Sequence, residues 1–528
     1  MFAILSFLAF TLVVAIVSYL KTKNDDQKDA NVYFLAGRQL PWYVVTGSLM
    51  LTNLSTEQLV GLNGGAFRHG FEVMAWEVIA AIALVVMAVF FLPRYWSGKI
   101  ATIPQFLENR FDATVRQIVS FVFLLTLCVG FLPFVLYSGA IGLEGLFDVS
   151  TIMGVDQGTA LIIMIWGIGL VGGAYAIFGG LEAVAISDTI NGIGLLIGGF
   201  LIPVLGIIAL GDGSFGGGID RLVENQAEQF HPIQHGDTEI PFGTLFTGML
   251  LINFYYWCTN QAIVQRTFGA RSLVDSQKGI LGAAVLKLLG PIYLVLPGVI
   301  AFEMFGGDLT DGDLAYPRLV DAVLPNALVG FFGAVMFGAI LSSFNSALHS
   351  CATLFGLDIF KGIIKKDATD NQTVSAGKTF GIILAILAMI AAPFIAQADG
   401  GLFSFMKKIA AIFNIPLLAI IIGGILLPKI PAIAAKIAVP LGASAYIFFS
   451  LVSDNHIFGY KVHWLHLAGI NFLFLIIFMW VFSLIKPREV VAYAGSEKPA
   501  ENSWRFVAPV SFLVIGLTIA MYAFLQSV

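Results

Sequence analysis

The chain has 528 residues, of which 58% are hydrophobic and 12% charged, and its mean hydropathy is +0.89. Soluble globular domains are about 45–50% apolar and about 25% charged, so the composition excludes an ordinary soluble protein and a disordered one. The small net charge of -5, without a basic patch, also excludes a nucleic-acid-binding protein. What remains is a polytopic membrane protein.

An α-helix needs about 20 apolar residues to cross a bilayer, and about fourteen segments of the chain reach this length. Segment 2–20 lacks the basic flank and cleavage site of a signal peptide, so we interpret it as a retained transmembrane helix. We therefore expect an all-α fold. The predicted spans are 2–20, 41–62, 71–95, 115–141, 158–178, 183–210, 242–265, 278–303, 327–359, 376–397, 401–427, 432–452, 465–485 and 506–526.

The Lys and Arg residues alternate between the connections of these spans. Every second connection, starting between the first two spans, carries basic residues, and together these hold 21 of the 28 in the chain. The connections on the opposite side hold four. Under the positive-inside rule the basic connections face the cytoplasm. We expect a multi-pass protein of the bacterial inner (cytoplasmic) membrane with both termini in the periplasm.

Two of the predicted spans carry polar clusters at mid-membrane, in residues 48–58 and 251–261. Each interrupted span opens a block of five spans, and such a pair in matching positions indicates an inverted-repeat secondary transporter. Backbone groups freed at the breaks are tolerated only where they line a cavity. The predicted organisation is an extra helix and loop in 1–40, five-helix repeats in 41–212 and 241–428, and three additional helices in 429–528.

The predicted span 327–359 carries a candidate sodium site. Ala339, Ser342 and Ser343 are spaced i, i+3, i+4 and share one helical face. A carbonyl at Ala339 and two hydroxyls supply the oxygens that Na+ prefers. Carbonyls of Leu51 and Leu54, at the break in the first interrupted span, complete the predicted site.

Glu77 and Lys287 lie deep within apolar segments. An ionisable group in the bilayer costs at least ~2.5–3.5 kcal/mol, so it normally faces a partner or a polar interior. The two side chains therefore belong either to a polar cavity or to a buried ion pair that joins two helices.

Three motifs carry a family resemblance: Tyr33 to Trp42 (YFLAGRQLPW), Phe178 to Ala183 (FGGLEA) followed by Ser187-Asp188, and Leu357 to Lys361 (LDIFK). Together they resemble the solute:sodium symporter family, and within it the sodium/galactose (sodium/glucose) cotransporter branch. The resemblance implies a LeuT-type 5+5 inverted repeat and alternating access. It also implies that Asp188 lies on the path of the ion to the cytoplasm.

The same resemblance implies roles for polar and aromatic residues in the spans. It assigns the gates to Leu62, Trp76 and Tyr256, with Tyr256 also stacking on the sugar. It assigns solute binding to Asn53, Gln58, Glu77, Asn253, Tyr256 and Lys287.

Lys408 departs from the family pattern. Alignment back from Pro416 places Lys408 where the sugar cotransporters carry a glutamine that binds the substrate. A cation at this position favours an acidic sugar, or else the long side chain extends to the membrane surface.

We expect a sodium-coupled symporter that imports a hexose-like sugar, and one Na+ per cycle. The alternatives are a sodium symporter for another small polar solute, such as an inositol, a carboxylate or an amino acid, and a membrane-embedded enzyme or sensor. The enzyme hypothesis requires a nucleophile–base pair or a metal triad, and the sequence indicates neither. The expected partners are Na+, a small-molecule sugar and the lipid bilayer.

Overall fold

The computed structural model describes residues 2–23, 28–234, 238–309, 312–397, 402–457, 459–489 and 503–528. The first residue of the predicted span 401–427 lies outside these ranges. The helices of the first half are Phe2–Thr22 (α1), Ala30–Leu35 (α2), Trp42–Asn53 (α3), Thr56–His69 (α4), Ala75–Val86 (α5), Leu92–Ser97 (α6), Ile103–Arg110 (α7), Ala113–Leu125 (α8), Leu132–Phe147 (α9), Val149–Met153 (α10), Gln157–Leu210 (α11) and Phe215–Gln226 (α12).

The second half is also helical in the part that the structure describes. Its helices are Gly248–Phe254 (α13), Gln261–Phe268 (α14), Leu273–Leu288 (α15), Gly290–Leu294 (α16), Leu296–Phe305 (α17), Ala315–Val323 (α18), Asn326–Thr353 (α19), Asp370–Ala391 (α20), Leu402–Leu426 (α21), Ala432–Ile447 (α22), Trp464–Ile485 (α23) and Val507–Leu525 (α24). Two short strands, His456–Ile457 (β1) and Tyr460–Lys461 (β2), form an antiparallel hairpin between α22 and α23.

Short 3₁₀ and π segments lie between these helices or extend them. The 3₁₀ segments are Ala36–Arg38, Gly70–Met74, Ala227–Phe230, Phe242–Phe246, Gly312–Leu314 and Ala392–Gln397. The π segments are Met87–Phe91, Thr126–Phe131, Tyr255–Thr259, Leu354–Ile364 and Phe448–Val452.

Within the described ranges, eleven helices are long and apolar enough to cross a membrane, and a twelfth is the bent pair Leu273–Leu288 and Gly290–Phe305. The 53° bend of that pair follows from Pro291 and Pro297, which remove backbone donors. The other two predicted spans, 41–62 and 242–265, are the interrupted ones. The 12 residues of α3 rise only about 18 Å, short of the ~30 Å hydrocarbon layer, so the count of fourteen spans is not established by helix length.

The long element α11 holds two spans, because its chain turns sharply at Gly180 (φ 67°, ψ -176°). This glycine belongs to the FGGLEA motif, and the left-handed backbone explains why glycine stands there. α11 packs against α19 and α3, the helices that carry the predicted sodium ligands. The core of the protein therefore surrounds the breaks.

Large apolar side chains are exposed along the outermost helices. Leu8 and Leu12 on α1, Leu387 on α20, and Phe512 and Leu513 on α24 all expose more than half of their surface. Such faces are stable only against an apolar solvent, which identifies them as the lipid-facing surface.

Candidate functional site

The first interrupted span breaks between α3 and α4. In a continuous helix the Ser55 N–H would bond to the Leu51 carbonyl, but here it bonds to the Asn53 oxygen at 3.0 Å. The Gln58 N–H bonds to the Ser55 oxygen at 3.0 Å and not to that of Leu54. The break therefore leaves the Leu51 and Leu54 carbonyls without their usual helical donors. These are the two carbonyls predicted to bind sodium.

The predicted hydroxyl ligands on α19 face this break. The Ser343 Oγ donates to the carbonyl of Thr52 at 3.3 Å, which places the α19 face against the end of α3. The Ser342 Oγ is buried and makes no hydrogen bond within the described ranges, and Ala339 is fully buried. A buried hydroxyl without a partner is costly unless a ligand binds there.

Asp188 lies beside the predicted ion site. Its Oδ2 accepts a hydrogen bond from Ser48 at 2.8 Å and lies 3.6 Å from the Arg266 guanidinium, while Oδ1 is buried without a partner among the described residues. Arg266 also donates to the Ser346 hydroxyl and is itself 1% exposed. Arg266 falls in the predicted connection between the spans 242–265 and 278–303, so the sequence did not indicate its burial beside Asp188.

The second interrupted span breaks after the π segment Tyr255–Thr259. Asn260 adopts an extended conformation (φ -67°, ψ 123°), and its side chain accepts a hydrogen bond from the Ala262 N–H at 2.9 Å, which caps α14. Asn260 belongs to the predicted mid-span cluster 251–261, which was the available signal for this residue.

A cavity of about 520 Å³ lies between the two breaks. This volume falls within the range of small-molecule sites, about 300–1,000 Å³. The wall contains amide, carboxylate and aromatic groups. The residues of the wall that the sequence predicts as solute ligands or gates are Asn53, Gln58, Trp76, Glu77, Asn253 and Tyr256.

Lys287 lies behind this wall. Its Nζ is 2.6 Å from Glu77 Oε2 and also donates to the Asn53 side-chain oxygen. Lys287 and Glu77 are 0% and 1% exposed. Lys287 is therefore placed to orient two residues of the wall. The arrangement fits both interpretations of these side chains, because they lie at a polar cavity and also form an ion pair that joins two helices.

Lys408 does not line the cavity within the described residues, whereas its neighbour Lys407 does. The Lys407 Nζ is 5.6 Å from the centre of the Tyr256 ring. Adjacent residues on a helix point about 100° apart, so the face that brings Lys407 to the cavity turns Lys408 away. Lys407, and not Lys408, therefore belongs to the described wall, and the role of Lys408 in solute binding stays a prediction.

The sequence did not indicate Lys407 and Asn414 as members of the wall. Asn414 stands seven residues after Lys407, which puts both on one face of α21. The Asn414 Oδ1 and the Gln58 Oε1 are buried and have no hydrogen-bond partner in the described parts of the chain.

The predicted gate residues differ in position. Trp76 lines the cavity and stacks on Trp464 of α23, with ring centres 6.3 Å apart. Tyr256 lines it from the second break, and its ring packs edge-on against Trp257 at 5.2 Å. Leu62 is buried in α4 but does not belong to the wall, as far as the described residues show.

Paired broken helices around a central polar cavity are the arrangement of a secondary transporter with the LeuT-type fold. A Na+-coupled sialic acid symporter, solved in a substrate-bound outward-open state, has this architecture. It superposes with a TM-score of 0.78 at 21% identity, covering 93% of this chain and 99% of that one. MHP1, a nucleobase-cation-symport-1 family transporter, superposes with a TM-score of 0.53 at 17% identity over 89% of this chain and 98% of its own.

Residues 33–442 match the sequence profile of the sodium:solute symporter family. The uncharacterized symporter YidK of Escherichia coli is 46% identical over 98% of this chain and 90% of its own length. A sodium/glucose cotransporter of Vibrio parahaemolyticus is 33% identical over 82% of each chain. The chain belongs to the sodium:solute symporter family, and it is a multi-pass transporter and not an enzyme.

Proposed function

We propose that this chain imports a sugar together with Na+ across the bacterial inner membrane. The observation that carries the proposal is the pair of amide oxygens, Gln58 Oε1 and Asn414 Oδ1, buried without partners in the cavity wall. In a cavity wall, acceptors of this kind suit a solute that donates hydrogen bonds, and a sugar presents several hydroxyl donors. The rings of Trp76 and Tyr256 supply apolar surface for the C–H face of a pyranose.

Sodium supplies the driving force in this proposal. The ion binds the carbonyls of Leu51, Leu54 and Ala339 and the hydroxyls of Ser342 and Ser343. An ion at this point joins the break in the first span to α19, and the neighbouring Asn53 and Gln58 belong to the same broken segment. Movement of one charge through 100 mV contributes about 2.3 kcal/mol to accumulation of the solute. Asp188 receives the ion on its way to the cytoplasm.

The conformational cycle follows from the proposed orientation, with the basic connections in the cytoplasm and both termini in the periplasm. The bundle that contains the broken spans rocks, and the cavity between these spans opens to one side at a time. Trp76 and Leu62 close the outer side, and Tyr256 closes the inner side.

An acidic sugar is a second candidate, favoured by Lys407. The Lys407 ammonium belongs to the described wall, where it lies beside the ring of Tyr256. A uronate or another carboxylated sugar would present its carboxylate to this ammonium and its hydroxyls to Gln58 and Asn414.

The experiment is uptake of a labelled panel into proteoliposomes, with an inward Na+ gradient or with equimolar K+. The panel contains neutral hexoses, an inositol, uronates, a simple carboxylate and an amino acid. Accumulation of a hexose or a uronate only with Na+ supports the proposal and separates the two sugar classes. Accumulation of the inositol, carboxylate or amino acid alone would replace the sugar assignment.

Two matched variants test whether the unpartnered amide oxygen of Asn414 binds the solute. Asn414→Leu removes one acceptor from the cavity wall at similar volume and is expected to abolish uptake. Asn471→Leu is the control, because Asn471 on α23 is also buried with an unpartnered Oδ1 but does not belong to the described wall. Equal loss of uptake in both variants would contradict the proposed role of Asn414.

A further inference from the structure

A second polar cluster lies away from the cavity, at the turn that joins α4 to α5. His69 is the last residue of α4, and Glu72 lies in the 3₁₀ segment Gly70–Met74 that follows. Glu239 reaches them from the loop that precedes α13. The Glu72 side chain is 1% exposed, whereas those of His69 and Glu239 are 34% and 25% exposed. The cluster is open to solvent on one side only.

The imidazole of His69 lies between the two carboxylates, with one ring nitrogen towards each. The His69 Nε2 lies 3.4 Å from Glu239 Oε2, and the His69 Nδ1 lies 3.7 Å from Glu72 Oε1. Both exceed the ~2.7–3.2 Å of a normal N–H···O hydrogen bond. One ligand atom from each of the three residues lies within 4.8 Å of the other two.

An unsatisfied oxygen in the cluster points independently to a ligand. The Glu72 Oε1 accepts a hydrogen bond from the Glu239 N–H at 2.8 Å, but the Oε2 of the same carboxylate is buried without a partner in the described ranges. Burying a carboxylate oxygen without a donor is costly. A metal ion at the cluster would satisfy this oxygen.

The backbone holds the three residues in place. Gly70 has a left-handed conformation (φ +62°), and an added Cβ would lie only 2.4 Å from the Gln229 carbonyl, so the loop packs directly on the turn. The Gln234 side chain donates to the His69 carbonyl at 3.0 Å. Together with the bond between Glu239 and Glu72, these contacts fix the cluster before a ligand binds.

We propose that His69, Glu72 and Glu239 bind one divalent transition-metal ion of the Zn²⁺ type. One imidazole nitrogen and two carboxylate oxygens are a ligand set that Zn²⁺ accepts, with water in the fourth position. Ca²⁺ takes six to eight oxygen ligands, and Mg²⁺ prefers octahedral oxygen coordination, so neither suits an imidazole-containing set of three. The ion would tie the loop before the second broken span to the end of the first.

Metal binding is tested directly on the purified full-length protein after treatment with a chelator. Titration calorimetry with Zn²⁺ alone is expected to show one equivalent bound by the unaltered chain, and bound Zn²⁺ is expected to raise its thermal unfolding midpoint. His69→Ala and Glu239→Gln are each expected to weaken binding at least about tenfold, since even outer-shell changes cost about 10–100-fold. Both side chains are partly exposed, so the variants should fold.

His231→Ala is the matched control, because His231 belongs to the same loop but not to the cluster. It is expected to bind Zn²⁺ like the unaltered chain, and Ca²⁺ at the same concentration is expected to give no heat of binding. The proposal is overturned if the unaltered chain binds no Zn²⁺, or if His69→Ala and Glu239→Gln bind it unchanged. Neither readout requires a transported solute, so the result is independent of the proposed function.

Discussion

Glu77 and Lys287 form a buried ion pair of 2.6 Å between α5 and α15, and the same ammonium also donates to Asn53 at the first break. The pair therefore connects three helices, α3, α5 and α15, around one wall of the cavity. Taking two charges out of water is costly, and the pair offsets this cost only while both partners are present. The ion pair is thus a structural element as well as part of the candidate site.

Removing only one charge of this pair is expected to destabilise the protein. Lys287→Met leaves the Glu77 carboxylate buried and uncompensated, which should lower the free energy of unfolding by about 3–5 kcal/mol. The double variant Glu77→Gln/Lys287→Met removes both charges and should recover most of that stability without recovering uptake. The measurement is the unfolding midpoint and the initial uptake rate of both variants. A single variant as stable as the unaltered chain would show that Glu77 has another cation partner.

The hydroxyls on α19 are expected to control sodium dependence. Ser342→Ala and Ser343→Ala each remove one oxygen from the proposed site and should raise the Na+ concentration that gives half-maximal uptake, with little change in expression. Ser483→Ala is the control, because this membrane serine on α23 bonds to the Trp480 carbonyl at 2.6 Å, outside the site. If both α19 variants keep the Na+ dependence of the control, sodium binds elsewhere.

The breaks in the helices could be predicted from the sequence because polar groups at mid-membrane are costly and therefore conspicuous. The clusters at 48–58 and 251–261 coincide with the ends of α3 and α13, and the paired glycines of the FGGLEA motif mark the turn at Gly180. Once the first break was predicted, the backbone carbonyls of Leu51 and Leu54 could be predicted as sodium ligands, because a break in a helix frees carbonyl groups from their helical donors.

The rest of the site depends on packing, which the sequence does not encode locally. The residues of α21 are apolar on every face of the helix, so the sequence pattern did not identify the face that carries Lys407 and Asn414. Arg266 follows a polar stretch and looked like a loop cation, and only its contact with Asp188 explains its burial. Glu77 and Lys287 are 210 positions apart, so their spacing could not indicate the pairing; only the cost of burying each charge made it one of two interpretations.

The stack of Trp464 on Trp76 gives an accessory helix a role at the cavity. An aromatic pair contributes about 0.5–1.5 kcal/mol, so Trp464→Ala is expected to change the half-maximal solute concentration by about twofold to tenfold. Trp480→Ala is the control, because Trp480 lies on the same helix and is half exposed on the lipid-facing surface. Half-maximal concentrations that match in the two variants would show that α23 does not influence the cavity.

The two adjacent lysines of α21 provide the sharpest test of how the helix is oriented. Lys407→Met removes a charge from the cavity wall, whereas Lys408→Met removes the same charge about 100° further around the helix, outside the described wall. If the solute is an acidic sugar, Lys407→Met should lower its uptake about tenfold or more, because an ammonium–carboxylate hydrogen bond contributes about 1.5–3 kcal/mol. If the solute is neutral, the loss should be smaller and accompanied by a change in preference among neutral sugars. In both cases Lys408→Met should transport like the unaltered chain. A larger defect in Lys408→Met than in Lys407→Met, measured as initial rates in the same proteoliposome preparation, would restore Lys408 as the solute ligand.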